Sequence, residues 1–257
     1  MSDGPPTDWS DRGAWDRYFK AELQAGRIPN SAPVLRFLPF TRKMGGRVWF
    51  AGCGLEQDPL IYATRGRTVL ATDFSSVAVK FQRVLAEGIQ KEGTWGPMRG
   101  TFAVAEQDFT EETPETEVDV VINTRAFQGL SAAAMHAAAQ RFHAALRPGG
   151  ACIIDTMNVQ GALRDRIEDS LIAGGFYLPY QQAARWYREQ LERSGIVYEM
   201  LMGHPRVRPS ERSEEDQAVL DSFRAEYERR TQEEAAEVQA IAEDKTTVIA
   251  QVVYATG

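Results

Sequence analysis

Short β-branched apolar runs alternate along the chain with longer stretches in which apolar residues recur every three or four positions, the pattern of strands exchanging with amphipathic helices. The strand-like runs fall at 48–51, 68–72, 101–104, 118–122, 151–156, 197–202 and 246–254. Helical spacing runs over 9–23, where Trp15, Phe19 and Leu23 stand four apart, and again over 60–64, 77–89, 131–146, 161–171 and 183–191. Val77, Phe81, Val84 and Leu85 give the 77–89 segment an apolar face. Met135, Phe142 and Leu146 do the same for the alanine-rich 131–146 segment, which Pro148-Gly149-Gly150 ends. Such an exchange predicts an α/β fold built on a mostly parallel sheet. A charged helical block at 211–244, with Val219, Phe223 and Tyr227 spaced by four, lies between the last two runs and reads as an insertion. The closing run is expected to complete the sheet as its antiparallel member.

The strongest chemical signal lies where the first run ends, at Gly52-Cys53-Gly54. Small residues there let backbone amides approach a ligand closely, and the helix beyond aims its unpaired N–H groups at whatever sits over the turn. The second run ends in Asp73, an acid placed to hold a ribose. A nicotinamide dinucleotide fingerprint would put a third small residue at position 57, where this chain has Gln57, so that cofactor is disfavoured.

Composition narrows the reading. At 257 residues, 43% of them hydrophobic, the chain has enough apolar surface for one α/β domain with additions. A net charge of −7 and the lack of a basic stripe argue against a nucleic-acid partner, since phosphate binding needs clustered Lys and Arg. Cys53 and Cys152 lie inside predicted elements, and His136, His143 and His204 share no metal-ligand spacing, so neither a disulfide framework nor a metal site is expected. No run approaches the roughly 18 apolar residues of a spanning helix, and residues 1–6 lack a basic segment leading into an apolar one. A cytoplasmic protein with no membrane partner is the expectation.

Several segments together resemble a known family. Phe50-Ala51-Gly52-Cys53-Gly54, Asp58, Arg65-Gly66-Arg67-Thr68-Val69, the stretch 71–79, Gln107-Asp108-Phe109, the stretch 118–127 and Leu146-Arg147-Pro148-Gly149-Gly150 are similar to class I S-adenosylmethionine-dependent methyltransferases. Within that group they most resemble the thiopurine S-methyltransferase-like branch, over residues 9–157. The resemblance implies a single domain over 1–257, with a doubly wound, mostly parallel seven-stranded sheet, helices on both faces, and extra helices near the C-terminus. It also implies an aromatic N-terminal lid over 9–40, in which Trp9, Trp15 and Phe19 cover the cofactor. S-Adenosylmethionine is the implied cofactor and S-adenosylhomocysteine the product. The implied contacts are Gly52, Cys53, Gly54, Asp58, Asp73, Phe74, Asp108, Phe109 and Asn123, with Asp108 near the adenine amine and Phe109 beside the base. The chain departs from the pattern at Phe50, where many members carry an acid, and at Glu56, where they carry a third glycine. A third departure is Asn123-Thr124-Arg125-Ala126-Phe127, where the branch shows Asp-Arg-Gly/Ala-Ala-Leu.

Methyl transfer from a sulfonium is an in-line displacement in which alignment at about 3 Å supplies much of the acceleration. A base is needed only for a protonated acceptor. Asn123 donates and accepts hydrogen bonds but cannot serve as a general base near neutral pH, which points to a soft or already ionised small molecule. Asn123 is therefore read as an orienting catalytic residue. Arg125 is read either as a group that attracts an anionic acceptor or as the partner of an acid of the fold. Aromatic residues beside glycines at 174–180, with Trp186, suit an acceptor wall, so Trp15, Phe19, Tyr177, Tyr180 and Trp186 are the acceptor-binding candidates. The expected activity is methyl transfer to S, N, O or halide of a small molecule. A catalytically silent S-adenosylmethionine-binding partner is the alternative that Glu56 and Asn123 leave open. The 211–244 block reads as a solvated helix, a homodimer contact or an acceptor cover.

Overall fold

The computed structural model describes residues 5, 6, 8–28, 38–43, 45–92, 97–157, 162–177, 186, 189, 190, 193, 214–243 and 248–255. An N-terminal helix α1 (Arg12–Gln24) and a short α2 (Leu38–Lys43) precede β1 (Arg47–Ala51). Next come α3 (Asp58–Thr64), β2 (Thr68–Asp73), α4 (Ser76–Glu92), β3 (Thr101–Glu106) and β4 (Val118–Thr124). A 3₁₀ turn (Phe127–Gly129), α5 (Ala132–Ala145), β5 (Leu146–Met157), α6 (Ala162–Ala173), β6 (Phe176–Tyr177), α7 (Glu214–Glu243) and β7 (Val248–Ala255) complete the order.

The strands form one sheet in the order β3-β2-β1-β4-β5-β7-β6. Period-two alternation divides their side chains between two cores. Trp49, Ala51, Val121, Cys152 and Ile154 face α5 and α6, where Met135, Phe142, Ile167 and Leu171 are fully buried. Val48, Phe50, Val120, Ile122 and Ile153 face the opposite layer and meet Tyr62 and Ala63 of α3. α1 and α5 start where polar side chains cap them: Asp11 accepts from the Ala14 amide at 2.9 Å, and Ser131 accepts from the Ala134 amide at 3.2 Å. Among the described residues no helix is long and apolar enough to cross a membrane.

Two expectations change. The closing strand, expected to be antiparallel, runs parallel to both β5 and β6. Apolar periodicity marks a strand but carries no direction; the helical connection through α7 returns the chain to the end of the sheet from which β6 starts, and so permits parallel pairing. The edge strand is Phe176–Tyr177, expected to be a turn, while the run at 197–202 lies outside the described residues. The register then fixes heights. Val48, Val120, Ala151, Ile249 and Tyr177 stand in one row, so Tyr177 sits at the amino-terminal end of the sheet.

Candidate functional site

The carboxyl ends of β1, β2 and β4 converge on the glycine turn. Gly52 has φ 73° and Gly54 φ 49°, left-handed conformations that glycine adopts without a Cβ penalty. A Cβ on Gly52 would lie 2.9 Å from the Phe109 ring and 3.1 Å from the Ala126 Cβ, so the turn is also closely packed. The amides of Gly52 and Cys53 both donate to the Thr72 carbonyl, at 2.8 and 2.9 Å, which ties the turn to β2.

Asp73 joins this turn to the next helix. One carboxylate oxygen accepts from the Gly54 amide at 2.8 Å and the other from the Ser75 amide at 2.9 Å, so a single side chain closes both the turn after β1 and the entry to α4. Each oxygen keeps a lone pair for a further donor. Burial pushes the Asp73 carboxyl up to about 6; the two amide bonds oppose this, and the nearby Asp16 and Asp108 add to it. Burial likewise raises the Cys53 thiol well above its usual range, with Asp73 and Glu56 adding to the effect, so Cys53 stays a neutral packing group. Asp58 opens α3 and is fully buried. Glu56, at the position of the missing glycine, is 8% exposed.

Gln82 belongs to no motif of the sequence, yet it braces the loop from α4. Its Nε2 donates to the carbonyls of Gly54 at 3.1 Å and Glu56 at 2.6 Å, and the residue is fully buried. The only sequence signal is a polar residue beside the apolar positions of α4. Asp108 caps its own turn, its carboxylate accepting from the Thr110 amide and hydroxyl at 2.8 and 2.7 Å. Phe109 is buried against Gly52 and lies 5.6 Å, ring to ring, from Phe142.

Asn123 ends up inside the scaffold. Its Nδ2 donates to the Ala51 carbonyl at 2.9 Å and its Oδ1 accepts from the Phe127 amide at 2.8 Å, so the amide ties β1 to the turn after β4. The next two residues differ. Thr124 is 6% exposed and its Oγ1 has no hydrogen-bond partner among the described residues. Arg125 has φ 58°, left-handed for a residue with a Cβ, and its buried Nε likewise has no partner among the described residues.

α1 lies over this end of the sheet. Asp16 accepts from the hydroxyls of Ser75 and Ser76 and from the Val77 amide, which pins α1 to the start of α4. Arg12 pairs with Glu106 at 2.7 Å and stands 5.9 Å from the centre of the Phe74 ring. Phe19 lies 3.5 Å from where a Gly54 Cβ would be, and a Cβ at Gly129 would fall inside the Trp9 ring. Trp15 lies between them, 4.8 Å from Trp9 and 5.2 Å from Phe19, and its buried Nε1 has no partner among the described residues. Trp15 and Phe19 are thus brought to the turn. Of the other acceptor candidates, Tyr177 is set at the far end of the sheet, and Trp186 packs 6.2 Å from Phe223 and 4.5 Å from the Arg230 guanidinium of α7. Tyr180 lies outside the described residues, as do 29–37 of the expected lid.

The sheet is parallel across its described strands, and it carries a glycine turn and an acid at the ends of its first two strands. Residues 50–154 match the family model described as a methyltransferase domain, a span that takes in the glycine turn, Asp73, Asp108 and Asn123. No curated protein matches. Among solved structures, the chain is similar to one titled for conversion of a disulfide bond into a thioacetal group during echinomycin biosynthesis (25% identity, TM-score 0.43), covering 54% of this chain and 57% of that one. Magnesium protoporphyrin IX methyltransferase from Synechocystis shares 18% identity over 68% of this chain and 76% of its own, with TM-score 0.43. The Burkholderia thailandensis 1,6-didemethyltoxoflavin-N1-methyltransferase shares 21% over 58% and 64%, with TM-score 0.40. The chain thus spans little more than half the length of the first of these.

Proposed function

We propose that the chain is an S-adenosylmethionine-dependent methyltransferase that acts on a small-molecule acceptor and that it resembles the thiopurine S-methyltransferase-like branch. The observation that carries the reading is the glycine turn clamped to a buried Asp73 within a segment that matches a methyltransferase domain. The site residues fit such a cofactor. Gly52 and Gly54 stay half-exposed, Asp73 retains acceptor capacity for ribose hydroxyls, and Trp15 offers a buried indole N–H without a partner among the described residues. When bound, the cofactor would supply an electrophilic methyl on a sulfonium that is its own leaving group.

The chain's part is to bind, orient and exclude water. Asp73 and the turn amides would hold the nucleoside, Phe74 and the Asp108-Phe109 segment would flank its base, and α1 would close the site to solvent. Asn123 acts as a positioning residue through Ala51 and Phe127, and residues 123–130 at the end of β4 include no His, Asp or Glu to take a proton. An acceptor that is soft or already ionised suits that arrangement. Calorimetry with S-adenosylhomocysteine tests the reading. Wild type should bind, and Asp73→Ala should lose about tenfold to a hundredfold in affinity, the worth of a hydrogen bond to a charged group. Folded wild-type protein that gives no heat overturns it.

A further inference from the structure

Charge in this chain is sorted by place. α7 carries ten acids against three arginines, as large an excess as the net charge of −7 of the whole chain. The opposite excess gathers where β1, β2 and β3 begin. Residues 38–47, 65–67 and 97–100 hold six cations and no acid, and hydrogen bonds bring these three segments together although they are far apart in the sequence. Arg67, 7% exposed, donates from Nε to the Thr41 hydroxyl at 3.1 Å, from Nη1 to the Arg65 carbonyl at 2.6 Å and from Nη2 to the Leu38 carbonyl. The Thr101 amide donates to the Arg67 carbonyl at 3.1 Å, and the Thr68 amide to the Gly46 carbonyl at 2.9 Å. Around the buried guanidinium, Arg42, Arg47, Arg65 and Arg99 are exposed, and none of the five makes an ion pair among the described residues. Burial, and after it the charge of Arg42, push the Arg67 guanidinium below its usual range. Asp119, the acid at the start of β4, is taken by Arg147.

We infer that the amino-terminal end of β1 to β3 is a docking surface for α7 of a second copy of this chain. The helix presents the matching stripe: Glu214, Asp221 and Glu228 recur every seven residues, all exposed, with the exposed Ala218 and Ala225 between them. Seven residues make about two turns, so the three acids share one face and span about 21 Å, and the alanines let that face come close. Arg47, Thr68 and Thr101 stand in one row across the three strands, which makes the patch about 10 Å wide, the width of one helix. The chain's own α7 packs on β7, across β4 and β5 from the patch, and no ion pair joins the two among the described residues. The acids therefore come from another copy. Because the two surfaces differ, the contact is heterologous and copies join head to tail. Exposed ion pairs are each worth little, so the contact is weak and depends on several forming at once. A nucleic acid fits less well, since it needs a longer basic track and the net charge of the chain repels it. The patch lies at the end of the sheet opposite the glycine turn, so docking leaves that turn clear and is independent of the methyltransferase reading.

The test is sedimentation of the full chain over a dilution series that reaches the submillimolar range, in about 0.1 M and about 1 M salt, between which the Debye length falls from about 10 Å to about 3 Å. Mass should rise with concentration in the first and stay that of a single chain in the second. One variant reverses the patch, with Arg42→Glu, Arg65→Glu and Arg99→Glu together; another reverses the stripe, with Glu214→Lys, Asp221→Lys and Glu228→Lys. All six side chains are exposed and Arg67 stays in place, so both should fold, which circular dichroism checks. The single reversals Arg99→Glu and Glu228→Lys stand in where a triple loses its fold. Each variant alone should remain a single chain, and an equal mixture of the two should associate again, because each supplies the surface that the other lacks. Wild type that stays a single chain in about 0.1 M salt overturns the inference. So does association that persists in about 1 M salt or survives in either variant alone, and so does a mixture that fails to restore it. Wild type that takes up heparin through the patch without self-associating reads a polyanion, which equally overturns it.

Discussion

Asp73 holds two backbone amides and, on our reading, a ribose, while its surroundings disfavour the charge that makes it a good acceptor. Its carboxyl stands at about 6 in the folded chain against 3.8 for a free one, so the folded state binds the proton more tightly than the unfolded state does. Its contribution to stability is therefore complete below pH 3.8 and is lost as pH rises through about 6, a change of about 3 kcal/mol for a shift of this size. Urea unfolding from pH 4 to 7 should show this fall in wild type and a flatter profile in Asp73→Asn. Nucleoside affinity should run the other way, weakening as the pH drops below about 6, because ribose hydroxyls donate to the ionised form. A wild-type affinity that stays level across that window counts against the assignment of Asp73. At this scale the sequence displays Gly52, Gly54 and Asp73 because their types and spacing are dictated by the turn. It does not display Gln82, Asp16 or Arg12, whose partners lie on other elements and whose types are common on any helix. Asn123 is visible as a residue at a strand end, but its two partners can be known only from the fold.

α1 is attached to the sheet chiefly through polar latches and one aromatic cluster, so it is the element most able to open without unfolding the rest. Asp16 serves the start of α4, where negative charge near unpaired N–H groups is favourable by about 1 kcal/mol. Removing it as Asp16→Ala should speed amide exchange across 12–24 severalfold while the amides of β1 and β4 keep their protection. It should also raise the rate at which bound S-adenosylhomocysteine leaves. Equal protection of α1 in both proteins would show that the aromatic cluster alone seats it. The aromatic stripe of this helix is legible from its spacing of four, and so are most of the strands that form β1 to β5. The edge of the sheet is not. Two residues, Phe176 and Tyr177, are too few to display a period, and they stand beside Gly174 and Gly175, which read as a turn. Gly174 packs against Ala139 and Gly175 against His143, so those glycines serve close helix packing.

At the scale of the molecule, every strand pairing among the described residues is parallel, and this sorts the chain by end. The turn, Asp73, Asn123 and α1 gather at the carboxyl ends of the strands, where ligands bind in open parallel sheets. Tyr177 lies at the other end and four strands from β1, roughly 19 Å across at the usual strand spacing. β7 lies between β5 and β6 and pairs with β5 from Ala151 to Met157. Deleting 248–257 should therefore abolish cooperative thermal unfolding, whereas deleting 1–24 should leave a folded sheet with weakened nucleoside binding. Calorimetric scans of the two truncations decide this, and a cooperative transition in the first would place the strand outside the stable core. The Trp9 and Trp15 rings, 4.8 Å apart and tilted by 59°, make the packing of the N-terminal segment visible to light. Two indoles at that separation couple their electronic transitions, and such coupling gives paired near-ultraviolet dichroism bands that vanish when the rings part. The chain thus carries an unlabelled optical gauge on its N-terminal segment, one that can be followed in a stopped-flow cell as ligand is added.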